Sequence, residues 1–221
     1  MLIGGLQKLT LIDYPGKIAT TVFTIGCNFS CAFCHNPELV DPIKIKKQPL
    51  ISEKTFFDFL KSRKGDLDGV CITGGEPTIH KDLPEFIKKI KNLGFSVKLD
   101  TNGSNPEMLE KLIRSNLLDY IAMDIKNSNL KSQISKSVEI IKNSGVDYEF
   151  RTTIVPALHK KEDIIKMAKE ISPAKKYFLQ QFRPGKNLDK KFEKEKPYPL
   201  EKLVEFCQAI RPFFEECGIR E

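Results

Sequence analysis

The chain has 221 residues, with 36 Lys and Arg against 29 Asp and Glu (formal net charge +7), 40% apolar residues and six cysteines. That length fits one large domain or two small ones, with enough apolar residues for a full core. No apolar run is long enough to span a bilayer, the N-terminus lacks a basic segment leading into an unbroken apolar stretch, and six cysteines are too few for a secreted disulfide scaffold; a membrane protein and a secreted protein are both disfavoured, and a reducing cytoplasm is expected.

The N-terminal segment carries a "DYPG" turn and is expected to form a hairpin or extension across one end of the fold. The first parallel strand is predicted at 19–25 and opens into "IGCNFSCAFCHNPELV", with cysteines at Cys27, Cys31 and Cys34. A strand at 68–73 runs into "TGGEP" (73–77), and a helix follows with Leu83, Phe86, Ile87, Ile90 and Leu93 on one face. The strand at 95–100 ends in "DTNGS" (100–104), and Asn105 and Pro106 form a good helix start. A strand at 120–125 ends in "MDIK" (123–126). Another at 148–155 contains "FRTTIVP" and precedes a helix through Ile164, Ile165, Ala168 and Ile171. The last predicted strand, 177–182, leads into "QQFRPG" (180–185) and then a basic stretch, 184–199, that reads as a long mobile loop before a helix through Leu200, Leu203, Val204, Cys207 and Ile210.

Strand and helix alternate six times, which means βαβ units and a parallel sheet. A closed eight-fold barrel takes about 250 residues, so this chain is expected to form an open, partial (β/α)6 barrel, as one domain over 1–221. In such folds function gathers at the carboxyl ends of the strands. Each odd segment quoted above falls there.

The C-x3-C-x2-C spacing puts three thiols within eight residues. A structural zinc site wants four ligands, and His35 could complete Cys3His, although it directly follows Cys34. Three thiolates on a four-iron cluster would instead leave one iron open to a small molecule. Cys71 lies in an apolar strand run and reads as a core residue, and Cys207 and Cys217 are too far along the chain to form a second knuckle.

"CNFSCAFC" followed by "GGEP" after the next strand resembles the radical S-adenosylmethionine (SAM) superfamily. More narrowly, "LTLIDYPGKIATTVFTIGCNFSCAFCHNPELV", "DGVCITGGEPT", "VKLDTNGSNP", "YIAMDIK" and "YEFRTTIVPALH" resemble the anaerobic ribonucleoside-triphosphate reductase activating proteins, close relatives of the pyruvate formate-lyase activating enzymes. One departure is a short segment between "MDIK" and "SVEIIKNSG".

The resemblance implies a [4Fe–4S] cluster on Cys27, Cys31 and Cys34, with SAM on the open iron. Gly74 and Gly75 would let the backbone approach the ligand, and Glu76 would anchor the loop or the ligand amine. Phe33, Cys34 and His35 would face the adenine. Asp124, Ile125 and Lys126 would meet the ribose and carboxylate end, with Arg151 and Arg183 as further carboxylate partners. Asp100 and Thr101 would help to hold a monovalent cation. The implied reaction is reductive SAM cleavage followed by hydrogen abstraction from a glycine Cα on a partner enzyme, so no proton-transfer residue is assigned.

The positive charge would suit an acidic flavodoxin or ferredoxin as electron donor. No nucleic-acid partner is expected. The competing readings are an enzyme of the pyruvate formate-lyase activating type, a radical enzyme acting on a small molecule or RNA base, and a zinc-binding interaction protein.

Overall fold

A computed structural model describes residues 1–128 and 130–220. Eight strands form one sheet in sequence order: β1 (Ile3–Thr10), β2 (Ala19–Thr24), β3 (Gly69–Gly74), β4 (Ser96–Thr101), β5 (Tyr120–Asp124), β6 (Asp147–Ile154), β7 (Ala174–Gln181) and β8 (Phe214–Arg220). β1 pairs antiparallel with β2, making the N-terminal hairpin, and every later pairing is parallel. Two short helices, α1 (Pro37–Val40) and α2 (Pro42–Ile45), follow the cysteine segment. The crossovers are α3 (Glu53–Ser62), α4 (Leu83–Asn92), α5 (Pro106–Arg114), α6 (Ser132–Lys142), α7 (Lys161–Ile171) and α8 (Leu200–Ile210).

The helices start where local chemistry allows. Ser52 accepts the Thr55 N–H at 3.1 Å, Asn105 accepts the Met108 N–H at 3.2 Å with Pro106 in the first turn, and Asp163 accepts the Lys160 N–H at 2.9 Å. Each helix then buries one stripe against the sheet. On α4 that stripe is Leu83, Phe86, Ile87 and Ile90, all at most 1% exposed.

The six predicted strands correspond to β2–β7, with ends shifted by up to three residues. β8 is an additional parallel strand. It follows α8 through a 3₁₀ turn (Arg211–Phe213), and its sequence FEECGIR holds two adjacent glutamates and a glycine, so neither apolar alternation nor a β-branched run marks it.

Period-two alternation gives the parallel strands two unlike faces. Val70, Ile72, Val97, Leu99, Ile121, Met123, Phe150 and Leu179 form a fully buried apolar face with the helices. Between them Cys71, Lys98, Asp100, Tyr120, Asp124, Glu149 and Arg151 form the other, inner face, which is mostly charged or polar. The "DYPG" turn closes one end of this inner face. Tyr14, 1% exposed, packs against Ala19 and Tyr120, and a Cβ on Gly69 would sit 3.0 Å from its ring. Residues 184–199, expected to be mobile, are seated on the cysteine segment instead. The Asp189 N–H donates to Ala32 O at 2.9 Å, Asn187 is buried, and Phe192 packs with Phe33, Val155 and Phe182.

Candidate active site at the carboxyl ends of the strands

The cysteine segment leaves β2 at Gly26, whose N–H donates to Leu39 O at 2.7 Å and so turns the chain back over the strand ends. Cys27 Sγ accepts the Phe29 N–H at 3.3 Å, and the Cys34 N–H donates to Cys31 O at 3.0 Å. All three cysteines are half-buried and line one cavity of about 220 Å³. Burial pushes the Cys27 and Cys34 thiols up, so each keeps its proton until a metal displaces it. Among the described residues, no three His, Cys, Asp or Glu side chains are gathered to hold a single metal ion. The three thiols share the lining of that cavity. His35 places its ring 5.9 Å from that of Phe182.

The "GGEP" turn is explained by contacts within the chain. A Cβ on Gly75 would lie 1.9 Å from Gly26 O, and one on Gly74, which has φ +113°, would lie 2.4 Å from Thr24 N. The Gly75 N–H donates to Thr24 O at 2.9 Å and the Glu76 N–H to Gly26 O at 2.8 Å. The two glycines therefore let the turn after β3 clamp the start of the cysteine segment. Both glycines also line the cavity, where a ligand's approach was expected of them. Glu76, 1% exposed, accepts from Thr78 N (3.1 Å) and Oγ1 (2.5 Å), Thr101 Oγ1 (2.7 Å) and Asn102 N (2.6 Å). It ties the end of β3 to the end of β4, which fits the loop-anchoring half of its expected role. Burial pushes its carboxyl up, against the pull of those four donors.

Beneath the thiols runs a chain of alternating charge. Lys98 donates to Asp100, Arg151 Nη1 lies 3.2 Å from Asp100 Oδ2, Arg151 Nε lies 3.0 Å from Asp124 Oδ1, and Lys126 Nζ lies 3.2 Å from Asp124 Oδ2. Glu149 extends it, 3.9 Å from Arg151 and gripped by both terminal nitrogens of Arg220. Burial pushes Asp124 up, but Arg151 and Lys126 outweigh it and hold the carboxyl at about 2. Asp100 is depressed in the same way by Arg151 and Lys98. Burial pulls Lys126 down, but Asp124 and Cys31 outweigh it, so the ammonium stays charged. Its Nζ stands 6.0 Å over the Phe33 ring. Beside Asp100 and Thr101, where a cation was expected, Lys98 and Arg151 hold the carboxylate and Thr101 donates to Glu76.

The cavity gathers Cys27, Cys31, Phe33, Cys34, His35, Gly74, Gly75, Glu76, Asp100, Thr101, Asp124, Lys126 and Arg151. Two expected residues stand apart. Ile125 is fully buried with its side chain in the aliphatic core, and its N–H donates to Arg151 O at 2.7 Å. Arg183 is exposed and lines a neighbouring cavity of about 590 Å³ with Ile12, Asp13 and Arg220. That cavity shares His35, Asp100, Arg151, Thr153 and Gln180 with the first.

Three contributions were not anticipated. Asn102 donates to Asn28 Oδ1 at 3.0 Å and faces Cys27 Sγ at 3.9 Å; it lies within the "DTNGS" segment. Lys98 carried a signal, a lysine inside the apolar run "SVKLD". His159 is 3% exposed. Its Nδ1 accepts the Val155 N–H at 3.0 Å, which leaves Nε2–H to donate to Lys126 O at 3.3 Å. Burial lowers its pKa and keeps that tautomer neutral.

The sequence profile of the Radical SAM superfamily matches residues 21–168. A Methanocaldococcus jannaschii protein assigned as a glycyl-radical enzyme activating enzyme is 35% identical over 99% of this chain and 95% of its own length. A pyruvate formate-lyase-activating enzyme from Clostridium pasteurianum is 30% identical over 75% of this chain and 74% of its own. Among solved structures, Streptococcus suis SuiB bound to the precursor peptide SuiA superposes with a TM-score of 0.63 at 16% identity. That match covers 90% of this chain but 47% of SuiB, so the likeness is one of fold, and the chain spans about half of that structure.

Proposed function

The chain belongs to the radical SAM superfamily, within its glycyl-radical enzyme activating branch, and from that premise we propose that it places a glycyl radical on an anaerobic ribonucleoside-triphosphate reductase. Its cofactors are a [4Fe–4S] cluster and SAM. When bound, they supply an electron to the SAM sulfonium and, from its cleavage, a carbon-centred radical able to remove a hydrogen atom.

The protein's own share is to bind, orient and exclude water. Cys27, Cys31 and Cys34 would hold the cluster. Lys126 and Arg151, both charged and both on Asp124, suit the carboxylate end of SAM. Asp124 suits the ribose hydroxyls as an acceptor, and Phe33 offers a ring face to the adenine. Glu76, Gly74 and Gly75 act on the walls of the site. Glycine is the residue whose Cα is least shielded, so a glycine loop can reach a recessed radical source.

The observation that carries this reading is the continuity of the two cavities. The second widens the site from Arg151 and Gln180 out to Ile12 of the first turn and to Arg183, at the unpaired side of the sheet. An opening of that width has room for a protein loop. The reductase is preferred over other partners because the resemblance to its activating proteins runs from the "DYPG" turn to "YEFRTTIVPALH". The 30% identity to the C. pasteurianum enzyme favours pyruvate formate-lyase as the second reading. A net charge of +7 suits an acidic flavodoxin or ferredoxin as donor, in a reducing cytoplasm. Among the described residues, no helix is long and apolar enough to cross a membrane.

The test is incubation of the reduced, cluster-loaded protein and SAM with each candidate partner, read by electron paramagnetic resonance. A carbon-centred signal should appear on the reductase. Its hydrogen splitting should collapse when the target glycine is deuterated at Cα, and deuterium should enter 5′-deoxyadenosine. A signal on pyruvate formate-lyase alone moves the assignment to the second reading. Hydrogen loss from an RNA base or small molecule, with neither protein gaining a radical, overturns the activase assignment.

A further inference from the structure

The site described above uses three of the six cysteines. Cys71 is fully buried, 3.7 Å from Lys98 Nζ. The remaining two lie ten positions apart near the C-terminus: Cys207 on α8 and Cys217 on β8 are both half-buried, with their Sγ atoms 3.1 Å apart. Two sulfurs at that distance are inside van der Waals contact, and a covalent bond needs only about 1 Å of further approach. The Cys217 thiol also points at Cys207 O, 3.8 Å away, so both groups converge on one spot. Burial and the neighbouring Cys207 push the Cys217 thiol up, which keeps that thiol protonated.

Among the described residues, β8 pairs with β7 alone, with Cys217 opposite Tyr177 in that ladder. Yet the same strand carries Arg220, whose guanidinium stacks 3.9 Å from the Phe178 ring centre and grips Glu149, the last carboxylate of the charge chain below the thiol cavity. What fixes β8 therefore also fixes the far end of that chain.

We propose that Cys207 and Cys217 are a dithiol–disulfide couple that staples β8 to α8 when a low-molecular-weight disulfide becomes available. One thiol, as its thiolate, attacks a disulfide RSSR, forming a mixed disulfide and releasing RSH. The second thiol gives up its proton and attacks the protein sulfur of that intermediate, forming Cys207–Cys217 and releasing a second RSH. The protein loses two electrons and two protons, and the reagent gains both. The inference rests on the fold alone and is independent of the proposed partner.

The experiment uses the cluster-loaded protein under anaerobic conditions in glutathione buffers of graded disulfide content. Samples are quenched by alkylation, mapped as peptides and followed by hydrogen exchange in β8. We expect a cross-linked Cys207–Cys217 peptide, lighter by two hydrogens, to appear in one two-electron transition and vanish on reduction. Iron content should not change, and β8 amides should exchange several-fold more slowly in the oxidised form. C217S and C207S should give no cross-link and no change in β8 exchange. Two cysteines that alkylate singly throughout, or that end only as separate glutathione adducts, overturn the couple. A cross-link that leaves β8 exchange unchanged overturns the staple.

Discussion

Lys98 and Leu99 are neighbours on β4, equally hidden at 1% and 0% exposed, on opposite faces of one strand. Leu99 meets aliphatic side chains from strands and helices, and its burial is favourable in itself. Lys98 meets Asp100, which meets Arg151, which meets Asp124, and each of those burials is costly until its partner is in place. The helix-side face stabilises the fold and tolerates exchange among similar shapes. The inner face adds little net stability but fixes the position of every charge around the thiol cavity. Burial alone does not distinguish these roles; what each side chain touches does.

The largest expected effect that would break this comparison concerns Arg151. Arg151→Ala leaves Asp100, Asp124 and Glu149 without their shared cation, and should cost about 3–5 kcal/mol of stability and all SAM cleavage. Leu99→Ala should cost a similar amount, about 2–5 kcal/mol, through the cavity it leaves. Yet the molecules that remain folded should cleave SAM as the parent does. Denaturant midpoints and turnover per folded molecule measure both, and equal loss of turnover in the two variants would remove the distinction between the faces.

Gly75→Val comes next. Its Cβ would overlap Gly26 O, so the cysteine segment must move. The variant should lose iron as well as SAM binding. An iron-replete protein with only weakened SAM binding would return Gly75 to the ligand contact first expected of it.

A smaller effect is expected from Glu76→Gln. An amide cannot accept from all four donors around it, and should lose about 1–3 kcal/mol in thermal or denaturant unfolding. Melting unchanged from the parent would show that the β3–β4 tie is not energetically important.

The mildest prediction is a pH profile. Burial lowers the pKa of His35, His80 and His159 in the folded chain. Between those values and the unfolded value near 6.5 the unfolded chain binds more protons, so stability should fall gently as pH drops below about 6.5. His159→Gln should make that slope shallower. Asp100 and Asp124 act in the opposite range. Depressed in the folded state, they contribute stability at neutral pH that is lost only as pH falls below about 4. A single sharp acid transition near neutrality would contradict this two-stage behaviour.

Much of this arrangement was legible from the residues. β2–β7 and their helices announced themselves through β-branched runs, 3.6-residue periodicity and caps such as Asn105–Pro106. The cysteine spacing and the segments after each strand marked the mouth. The inner face was harder to read, because an alternating strand does not tell which charged residue will find which partner across three neighbouring strands. Lys98 and Glu149 lay inside predicted strands with no partner marked for either, and Arg220 lay outside any predicted strand. Gly74 and Gly75 were recognised as special, but the close neighbour was the chain itself, which only the register of β2 against β3 reveals. β8 was hidden because its place depends on docking against β7 and α8, with little local signal of its own.

The most direct test of the central claim, that the inner cavity is a three-thiol cluster site serving SAM, is iron and sulfide content measured together with 5′-deoxyadenosine production. It should be made in the parent and in Cys27→Ala, Cys31→Ala, Cys34→Ala and Cys71→Ala. The account predicts that each of the first three loses the cluster or all SAM cleavage, while Cys71→Ala keeps near-normal iron. An iron-replete Cys31→Ala protein that still makes 5′-deoxyadenosine would contradict it.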